Sequence, residues 1–517
     1  MKSPEWLARG VSKLLSKEPK APAGATKASA SSAKSTAVLT AATTQTPALP
    51  GASPSNAPPS PAAGPVRSKP SPRSMAQRLN GSFRAAGEAM SPRLLRRTLE
   101  SLRAVVDPTI SEAEGGRLAA AVAAIYANST RERRYDLWLL MSELFITDPE
   151  QVARARAQFE KAIGTADEAA AEVHFRRATV SPRRKLLQRF ANFPHGLQFL
   201  VDMRAEFQPF LKSDKRLAAL DVEMEYIFVT WLDIGFLELR RITWDSPASL
   251  IERLIRYEAV HDIRSWADVK NRLDSDRRCY GFFSPRMPDV PLIFVQVALL
   301  DKVPASIVPL LDESEAAADL QTASVAVFYS ISNTQVGLRG VPFGDSLIKR
   351  VVEALREEFP KLKTFVTLSP IPGYRAWLQK RLGTLLDGID DKFRKELTSL
   401  RAGNDTLEQQ VLNASDEPSA IPEDSPMRAL HLSFCANYLQ QLNDTGQATD
   451  PVARFHLGNG ARIERLNWLG DPSSKGLKQS YGLMVNYLYD LKRLDRNRKM
   501  LAQGKVATSA EIDRLRR

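Results

Sequence analysis

One run, residues 324–369, limits the folds open to this chain more than any other feature. It begins with a β-branched and aromatic stretch of strand length at 324–332, followed by a glycine-rich turn at 337–344. Apolar residues then recur at helical spacing over 347–359, and 363–369 has the composition of a second strand. A strand, a helix and a strand in this order predict a right-handed βαβ unit with parallel strands.

The glycine-rich turn and Ser369 are expected at the same edge of that sheet. The turn follows the carboxyl end of the first strand, and Ser369 stands at the carboxyl end of the second. Ligands of α/β sheets bind at this edge, and the backbone N–H groups at a helix N-terminus suit a pyrophosphate. Glycines before a helix also simply make turns, so spacing alone leaves both interpretations open.

A second candidate, His456, lies close to a turn signal. Asn459-Gly460 between 452–457 and 461–468 is typical of a β-hairpin, which predicts that His456 lies near the end of a strand. If its apolar neighbours face the core, His456 faces a cleft or solvent. A lone strand histidine is more often structural than catalytic, so composition alone favours a structural role for His456 and leaves a catalytic role open. His261 has no chemical partner nearby in sequence and is predicted to be structural.

Longer stretches carry a family resemblance. The run at 328–378, which includes TLSPIPG, and the segments at 242–283, 291–300, 450–471 and 482–491 resemble the malonyl-CoA decarboxylase family. The resemblance implies a GNAT-like mixed α/β catalytic domain preceded by an all-α helical domain used for oligomer formation, with a tetramer as the assembly. It also implies a carboxy-lyase that converts malonyl-CoA to acetyl-CoA and CO2.

The resemblance also implies roles for individual residues. It places the catalytic serine at Ser369 and the catalytic histidine at His456 of FHLGNGA. Tyr489 corresponds to a position near the active site, although helix packing explains a tyrosine there equally well. The implied pyrophosphate-binding turn consists of Arg339, Gly340, Val341, Pro342, Phe343, Gly344 and Asp345. Pro342 departs from the superfamily's usual glycine and lacks an N–H, so one phosphate donor is missing.

The reaction defines what such a site must do. Loss of CO2 from malonyl-CoA leaves an enolate of the acetyl thioester, which must be stabilised and then protonated at carbon. We expect Ser369 to contact the malonyl carboxylate or the developing enolate, and His456 to supply the proton. A covalent acyl-serine is the alternative, although no G-x-S-x-G motif surrounds Ser369. Asn486 and Tyr489 are predicted to lie on a helix with an apolar stripe.

Nothing in the sequence indicates a cofactor. The chain has no G-x-x-x-x-G-K-[ST] loop and no H-E-x-x-H pair, and its two cysteines, Cys279 and Cys435, are far apart. A β-keto-type thioester accepts the electrons itself, so we predict a cofactor-free enzyme without a metal. Two cysteines fit a reducing compartment, and the apolar stretch at 290–300 is too short to cross a bilayer. The cytoplasm is the expected location, with the mitochondrion less favoured.

The net charge of +13 does not indicate a nucleic-acid partner. Residues 1–90 hold 12 Lys and Arg against 3 Asp and Glu, which leaves only +4 for the rest of the chain. Residues 1–75 are predicted to be a disordered, basic tail rich in Ala, Ser and Pro. A short basic helix near its start fits a mitochondrial presequence, a membrane-surface or partner helix, or an inert end.

Two domains are predicted after the tail: a helical domain at 76–245 and a catalytic domain at 246–517. Helix starts are indicated at Ser91-Pro92, Asp148-Pro149 and Ser181-Pro182. Long helical stretches are predicted at 131–145 and 217–237, and 384–424 is predicted to be a polar, helix-rich insertion. Two other functions stay open: an acyl-CoA-dependent acyltransferase, and a non-catalytic CoA-binding regulator if Ser369 and His456 lie far apart.

Overall fold

A computed structural model describes residues 90–341, 346–400 and 405–515, together with Gln77 and Leu79. The predicted tail, residues 1–75, lies outside the described residues. So do Pro342, Phe343, Gly344 and Asp345 of the predicted phosphate-binding turn. The predictions made for these two segments therefore stay predictions.

The first part of the described chain is helical, as predicted. Ser91, Asp148 and Ser181 each cap a helix with a side-chain oxygen that accepts a backbone N–H, and proline follows each cap. The helices of this part are α1 (Pro92–Val106), α2 (Glu112–Ala127), α3 (Arg131–Glu143), α4 (Pro149–Ala162), α5 (Glu168–Thr179), α6 (Pro182–Ala191), α7 (Gly196–Phe207) and α8 (Ala218–Trp231).

The second part is built on one mixed sheet. Its strands are β1 (Glu238–Ile242), β2 (Arg277–Ser284), β3 (Met287–Leu300), β4 (Val325–Asn333), β5 (Thr364–Thr367), β6 (Ser369–Pro370), β7 (Arg462–Asn467) and β8 (Met484–Leu488). The order is β1-β2-β3-β4-β5-β8-β6, with β7 also paired to β8. Only β4 and β5 run parallel among these paired strands.

Helices connect and cover these strands. They are α9 (Ala248–Tyr257), α10 (Trp266–Arg272), α11 (Val308–Leu311), α12 (Ser346–Glu358), α13 (Tyr374–Asp387), α14 (Asp391–Ser399), α15 (Leu407–Asp416), α16 (Pro426–Leu439), α17 (Pro451–Gly458), α18 (Ser474–Ser480), α19 (Leu494–Ala502) and α20 (Ala510–Leu515). Helix α12 joins the parallel strands β4 and β5, which confirms the predicted βαβ unit. The predicted fold class, a helical region followed by a mixed α/β domain, is likewise confirmed. The boundary at 245–246 stays a prediction, and β1 lies just before it.

The parallel pair separates part-way along its length. The registered pairing of β4 with β5 ends at Phe328 and Thr367, and β4 then continues to Asn333 along β3. Beyond Thr367 the chain bonds once more to β4, through Leu368 N–H and the Phe328 carbonyl, and then enters β6, which pairs with β8. The sheet therefore opens beside Ser369, the first residue of β6.

Two predictions of local structure are wrong. Residues 451–458 form helix α17 and not the first strand of a hairpin, because Asp450 caps the helix and Pro451 occupies its first position. The predicted helix through Asn486 and Tyr489 ends early. Helix α18 stops at Ser480, Tyr481 adopts a left-handed conformation with φ of 55°, and Asn486 lies in strand β8.

Among the described residues, no helix is both long enough and apolar enough to cross a membrane. The apolar stretch at 290–300 belongs to β3, where it is buried between its neighbouring strands.

Candidate active site

Ser369 and His456 come together although they are far apart in the sequence. Ser369 Oγ lies 3.2 Å from His456 Nε2, and both side chains are buried. Ser369 begins β6 at the point where the sheet opens, and His456 lies in the last turn of α17. The two residues predicted to be catalytic are therefore in direct contact.

Helix α17 fixes the position of His456. Asp450 is fully buried, and one oxygen of its carboxylate accepts the N–H groups of Val452 and Ala453. Its other oxygen accepts the Tyr438 hydroxyl at 3.1 Å. A buried acidic cap with three donors anchors the start of this short helix. His456 lies about two turns after this cap, so the anchored helix holds its backbone in a fixed orientation.

Two tyrosines at the end of β8 hold the imidazole from its other sides. The Tyr489 hydroxyl lies 2.8 Å from His456 Nδ1. The Tyr487 ring stacks on the imidazole, with 4.6 Å between the ring centroids and 26° between the planes. Tyr489 therefore lies in direct contact with His456, and it follows a strand and not a helix.

Thr367 directs the hydroxyl of Ser369. Ser369 Oγ donates to Thr367 Oγ1 at 2.8 Å, and the same Thr367 oxygen accepts the backbone N–H of Tyr487 at 3.1 Å. Because the Ser369 proton points to Thr367, the serine oxygen is left to accept a proton from His456 Nε2. Nδ1 then accepts the Tyr489 hydroxyl. The hydrogen-bond pattern thus favours a neutral imidazole that carries its proton on Nε2.

Burial keeps the groups of this site uncharged. It lowers the pKa of His456 from 6.5 to about 3. It also raises the pKa of Tyr489 well above 10, against smaller lowering effects of Asn459 and Arg498. In the protein without substrate, the His456 and Tyr489 side chains are therefore both neutral at physiological pH.

The pair opens into a cavity of about 560 Å³ between β4, α17 and the start of β6. Its walls are largely apolar, and the remaining lining consists of a few polar groups. The lining includes Val260, Ile293, Phe328, Ile331, Asn333, Val341, Leu347, Leu368, Pro370, Val452, Arg454, Phe455 and Asn459. Among the described lining residues, Asn333 and Arg454 are exposed, whereas Asn459 is buried.

The predicted phosphate-binding turn begins beside this cavity. Gly340 has φ of 86°, a left-handed conformation that favours glycine, and a β-carbon there would meet no atom within 4 Å. Val341 is buried and lines the cavity that holds Ser369 and His456. Arg339 is exposed. The described beginning of the turn is therefore continuous with the site.

Other residues singled out in the sequence have clear places. His261 is buried outside the Ser369–His456 pair, and burial lowers its pKa to about 4. Asn486 is buried in β8, where its Nδ2 donates to the Thr367 carbonyl at 2.8 Å. Cys279 and Cys435 are buried free thiols. Within the described residues, no group of three or more His, Cys, Asp or Glu side chains is arranged to hold a metal ion.

Local sequence patterns contain no functional signal that selects Thr367, Tyr487 or Asn459. Thr367 precedes Ser369 by two residues, so alternation along a strand places both side chains on one face. Asn459 was interpreted only as a turn signal. Tyr487 and Tyr489 are two residues apart at the end of β8, so a strand places their side chains on the same face. The prediction of a helix here excluded that arrangement.

Comparison with known proteins identifies the family. The family model of the malonyl-CoA decarboxylase C-terminal domain matches residues 235–517, more than half of the chain. The chain belongs to the malonyl-CoA decarboxylase family. The model of the malonyl-CoA decarboxylase N-terminal domain matches residues 145–232, within the helical part.

Curated malonyl-CoA decarboxylases show the same relationship. The mitochondrial enzyme of Anser anser anser is 36% identical over 328 residues, which are 60% of this chain and 65% of the goose protein. The mitochondrial enzyme of Mus musculus is 35% identical over 385 residues, 71% of this chain and 78% of the mouse protein. The chain thus spans slightly less than two thirds of the goose relative.

Solved malonyl-CoA decarboxylase structures match the fold. The structure from Rhodopseudomonas palustris has a TM-score of 0.70 and 38% identity, and covers 81% of this chain and 99% of that one. The structure from Agrobacterium vitis has a TM-score of 0.71 and 37% identity, and covers 81% of this chain and all of that one.

This malonyl-CoA decarboxylase homologue is expected to lose stability in mild acid. Burial lowers the pKa of His261 and His431 to about 4 and that of His456 to about 3, below the value of 6.5 for an exposed histidine. Below pH 6.5 these three histidines bind protons in the unfolded chain but stay neutral in the folded protein. The free energy of unfolding therefore keeps its full value above pH 6.5 and falls below it. Each histidine contributes about 1.4 kcal/mol per pH unit there.

Urea unfolding between pH 7.5 and 5 measures this dependence. We expect the free energy of unfolding to fall as the pH decreases, and the slope to become shallower in His431→Gln, which removes one of the three groups. An unchanged slope in that variant would show that His431 protonates equally in both states.

Proposed function

We propose that the protein decarboxylates malonyl-CoA to acetyl-CoA and CO2, with Ser369 and His456 acting on the malonyl group. The observation that carries this proposal is the 3.2 Å contact between Ser369 Oγ and His456 Nε2 at the wall of a largely apolar cavity. Membership of the family indicates which reaction to expect. The contact brings together Ser369 as a hydrogen-bond donor and His456 as a carrier of the proton that this reaction needs. A regulator without catalysis was favoured only if these side chains lay far apart.

Substrate binding uses two regions. Backbone N–H groups of residues 339–345, with the exception of Pro342, bind the pyrophosphate of CoA, and the malonyl group enters the cavity beyond Val341. Phe328, Leu368 and other apolar residues line that cavity. Moving the malonyl carboxylate from water to such walls favours its conversion to uncharged CO2. The same anion, close to His456, raises the pKa of the imidazole and favours uptake of a proton from solvent.

After the substrate binds, decarboxylation is followed by protonation of the α-carbon. The bond between the α-carbon and the carboxylate breaks, CO2 leaves, and the electron pair moves into the thioester carbonyl to form an enolate. The Ser369 hydroxyl rotates from Thr367 towards the substrate and stabilises the departing carboxylate or the enolate by donating a hydrogen bond. His456 transfers its Nε2 proton to the α-carbon, which gives acetyl-CoA. Tyr489, bonded to Nδ1, keeps Nε2 directed at the substrate.

The hydrogen bonds of Ser369 support a role as donor over a role as nucleophile. A nucleophilic serine gives its proton to the histidine, whereas this hydroxyl donates to Thr367 and leaves Nε2 as the donor to Ser369. An acyltransferase would also need an acceptor that intercepts the acyl group. The proposed reaction needs only malonyl-CoA and a proton.

The purified protein is expected to convert malonyl-CoA to acetyl-CoA and CO2 without an added metal, nucleotide or acceptor. Mass spectrometry of the thioesters, with and without a chelator, measures the reaction, and the Ser369→Ala protein serves as the control for spontaneous decay. Product formation only when an amine acceptor is present would favour the acyltransferase.

Location and assembly are further proposals. The buried free thiols of Cys279 and Cys435 are consistent with the reducing cytoplasm. Exposed Val222, Tyr226 and Val229 on one side of α8 support a homo-oligomer, with a tetramer as the expected size. Light scattering after size-exclusion chromatography measures the mass, and cell fractionation measures the location.

A further inference from the structure

We propose that Asn459 is a further catalytic residue, whose side-chain amide donates a hydrogen bond to the thioester oxygen as it becomes the enolate oxygen. This inference rests on the proposed decarboxylation. Asn459 lines the cavity that contains Ser369 and His456, and it is only 7% exposed. Its Nδ2 group has no hydrogen-bond partner.

A buried amide without a partner indicates a missing ligand. Buried donors are almost always paired, because an unpaired one has lost its bonds to water without replacement. Ser369 and His456 are paired with each other, and His456 also bonds to Tyr489. The buried Tyr487 hydroxyl, like the Asn459 amide, has no partner. Of these two unused donors, the one that belongs to a residue lining the cavity is Asn459 Nδ2.

The reaction supplies an acceptor of the right kind. Negative charge develops on the thioester oxygen during decarboxylation, and a pre-oriented donor in a site shielded from water stabilises that charge most effectively. The backbone fixes the position of Asn459, since its N–H donates to the Phe455 carbonyl at 3.1 Å and closes the end of α17. Asn459 and His456 thus share one helix end, so both donors are oriented together.

Tyr489 offers the competing role for this amide. A weak hydrogen-bonding interaction with the Asn459 side chain lowers the pKa of Tyr489, against the larger opposing effect of burial. The two side chains do not reach the full geometry of a hydrogen bond. If Asn459 served only to hold Tyr489, its replacement would affect the proton transfer and leave recognition of the thioester oxygen unchanged. The two roles therefore differ in binding as well as in rate.

The test uses Asn459→Leu in the full-length protein. We expect kcat for malonyl-CoA to fall roughly 10²- to 10³-fold, the usual loss for one oxyanion donor. Calorimetric titration compares acetyl-CoA with S-ethyl-CoA, in which a CH2 group replaces the carbonyl. The wild-type protein is expected to bind acetyl-CoA about 5- to 10-fold more tightly. In Asn459→Leu, the two ligands are expected to bind equally.

Stability supplies the control. Leucine removes an unpaired buried donor, so the melting temperature of Asn459→Leu should not fall. Asn497 is buried to the same extent, but its Nδ2 donates to the Gly460 carbonyl at 2.9 Å, so Asn497→Leu should lower the melting temperature. A similar fall in Asn459→Leu would overturn the proposal in favour of a structural role. So would a retained preference for acetyl-CoA, whether or not kcat falls.

A different result would show that the proposed function itself is wrong. If the wild-type protein does not decarboxylate malonyl-CoA, the reaction assigned to the site is wrong. The difference in affinity between acetyl-CoA and S-ethyl-CoA would still report whether Asn459 binds the thioester oxygen.

Discussion

Replacing Ser369 or His456 with alanine is expected to lower kcat for malonyl-CoA by roughly 10²- to 10⁴-fold, the span found for positioned acid-base groups. Both side chains are buried, and Ser369 Oγ lies 3.2 Å from His456 Nε2. After either substitution, a water molecule would not take the place of the missing group in the same defined position. Because both are proposed to act on charge that forms and disappears during the reaction, affinity for CoA should change little. Steady-state kinetics and CoA titration measure the two effects separately.

The double variant provides the sharper test of this pair. Residues that act as one unit are not additive, so Ser369→Ala with His456→Ala should be little slower than the slower single variant. Circular dichroism and thermal melting must show that each variant is folded. Near-normal turnover by a folded His456→Ala protein would remove this histidine from the mechanism and leave the protonation of carbon to Tyr489 or water.

Local sequence patterns predicted the framework of this site well. The strand, glycine-rich turn, helix and strand at 324–369 follow one another in the chain, and their periodicities differ clearly. The helix starts at Ser91, Asp148 and Ser181, each followed by proline, were predicted correctly for the same reason, since a cap depends on neighbouring residues.

The same rule would have corrected one error. Asp450-Pro451 is a helix-start signal like Asp148-Pro149, but the Asn459-Gly460 turn signal was given more weight. In the structure, Asn459 follows the end of α17 and Gly460 has φ of 84°, so the turn is real although its first arm is a helix. A turn signal fixes the backbone at the turn and leaves the type of the preceding element open.

Local sequence patterns did not predict the contacts between side chains within the site. Tyr489 reaches His456 because β8 pairs with β5, β6 and β7, and that pairing depends on the whole sheet. Family resemblance placed Ser369 and His456 in one site, and the fold then added Thr367 as the acceptor of the Ser369 hydroxyl. The unpaired amide of Asn459 is visible only when every neighbouring atom is placed.

The helical part also contacts the backbone just before the proposed phosphate-binding turn, at a position that tolerates no side chain. Gly337 lies in the short 3-10 helix Val336–Leu338, directly against α7. A β-carbon on Gly337 would clash with the Val201 carbonyl oxygen. Arg204, also on α7, donates to the carbonyls of Gly337 at 2.9 Å and Arg339 at 3.1 Å. Helix α7 therefore holds the backbone where the turn begins.

Gly337→Ala is accordingly expected to destabilise the protein by about 3 kcal/mol, the upper end for overpacking, and to raise KM for malonyl-CoA more than it lowers kcat. The clash is with backbone atoms of α7, so the helix and the turn must separate, and the bonds from Arg204 are then lost. Gly116→Ala in α2 is the matched control. Its nearest neighbour would be 3.9 Å away, and alanine favours the helix, so stability should hold or rise. Equal urea midpoints and equal KM values for the two variants would show that α7 does not position the turn.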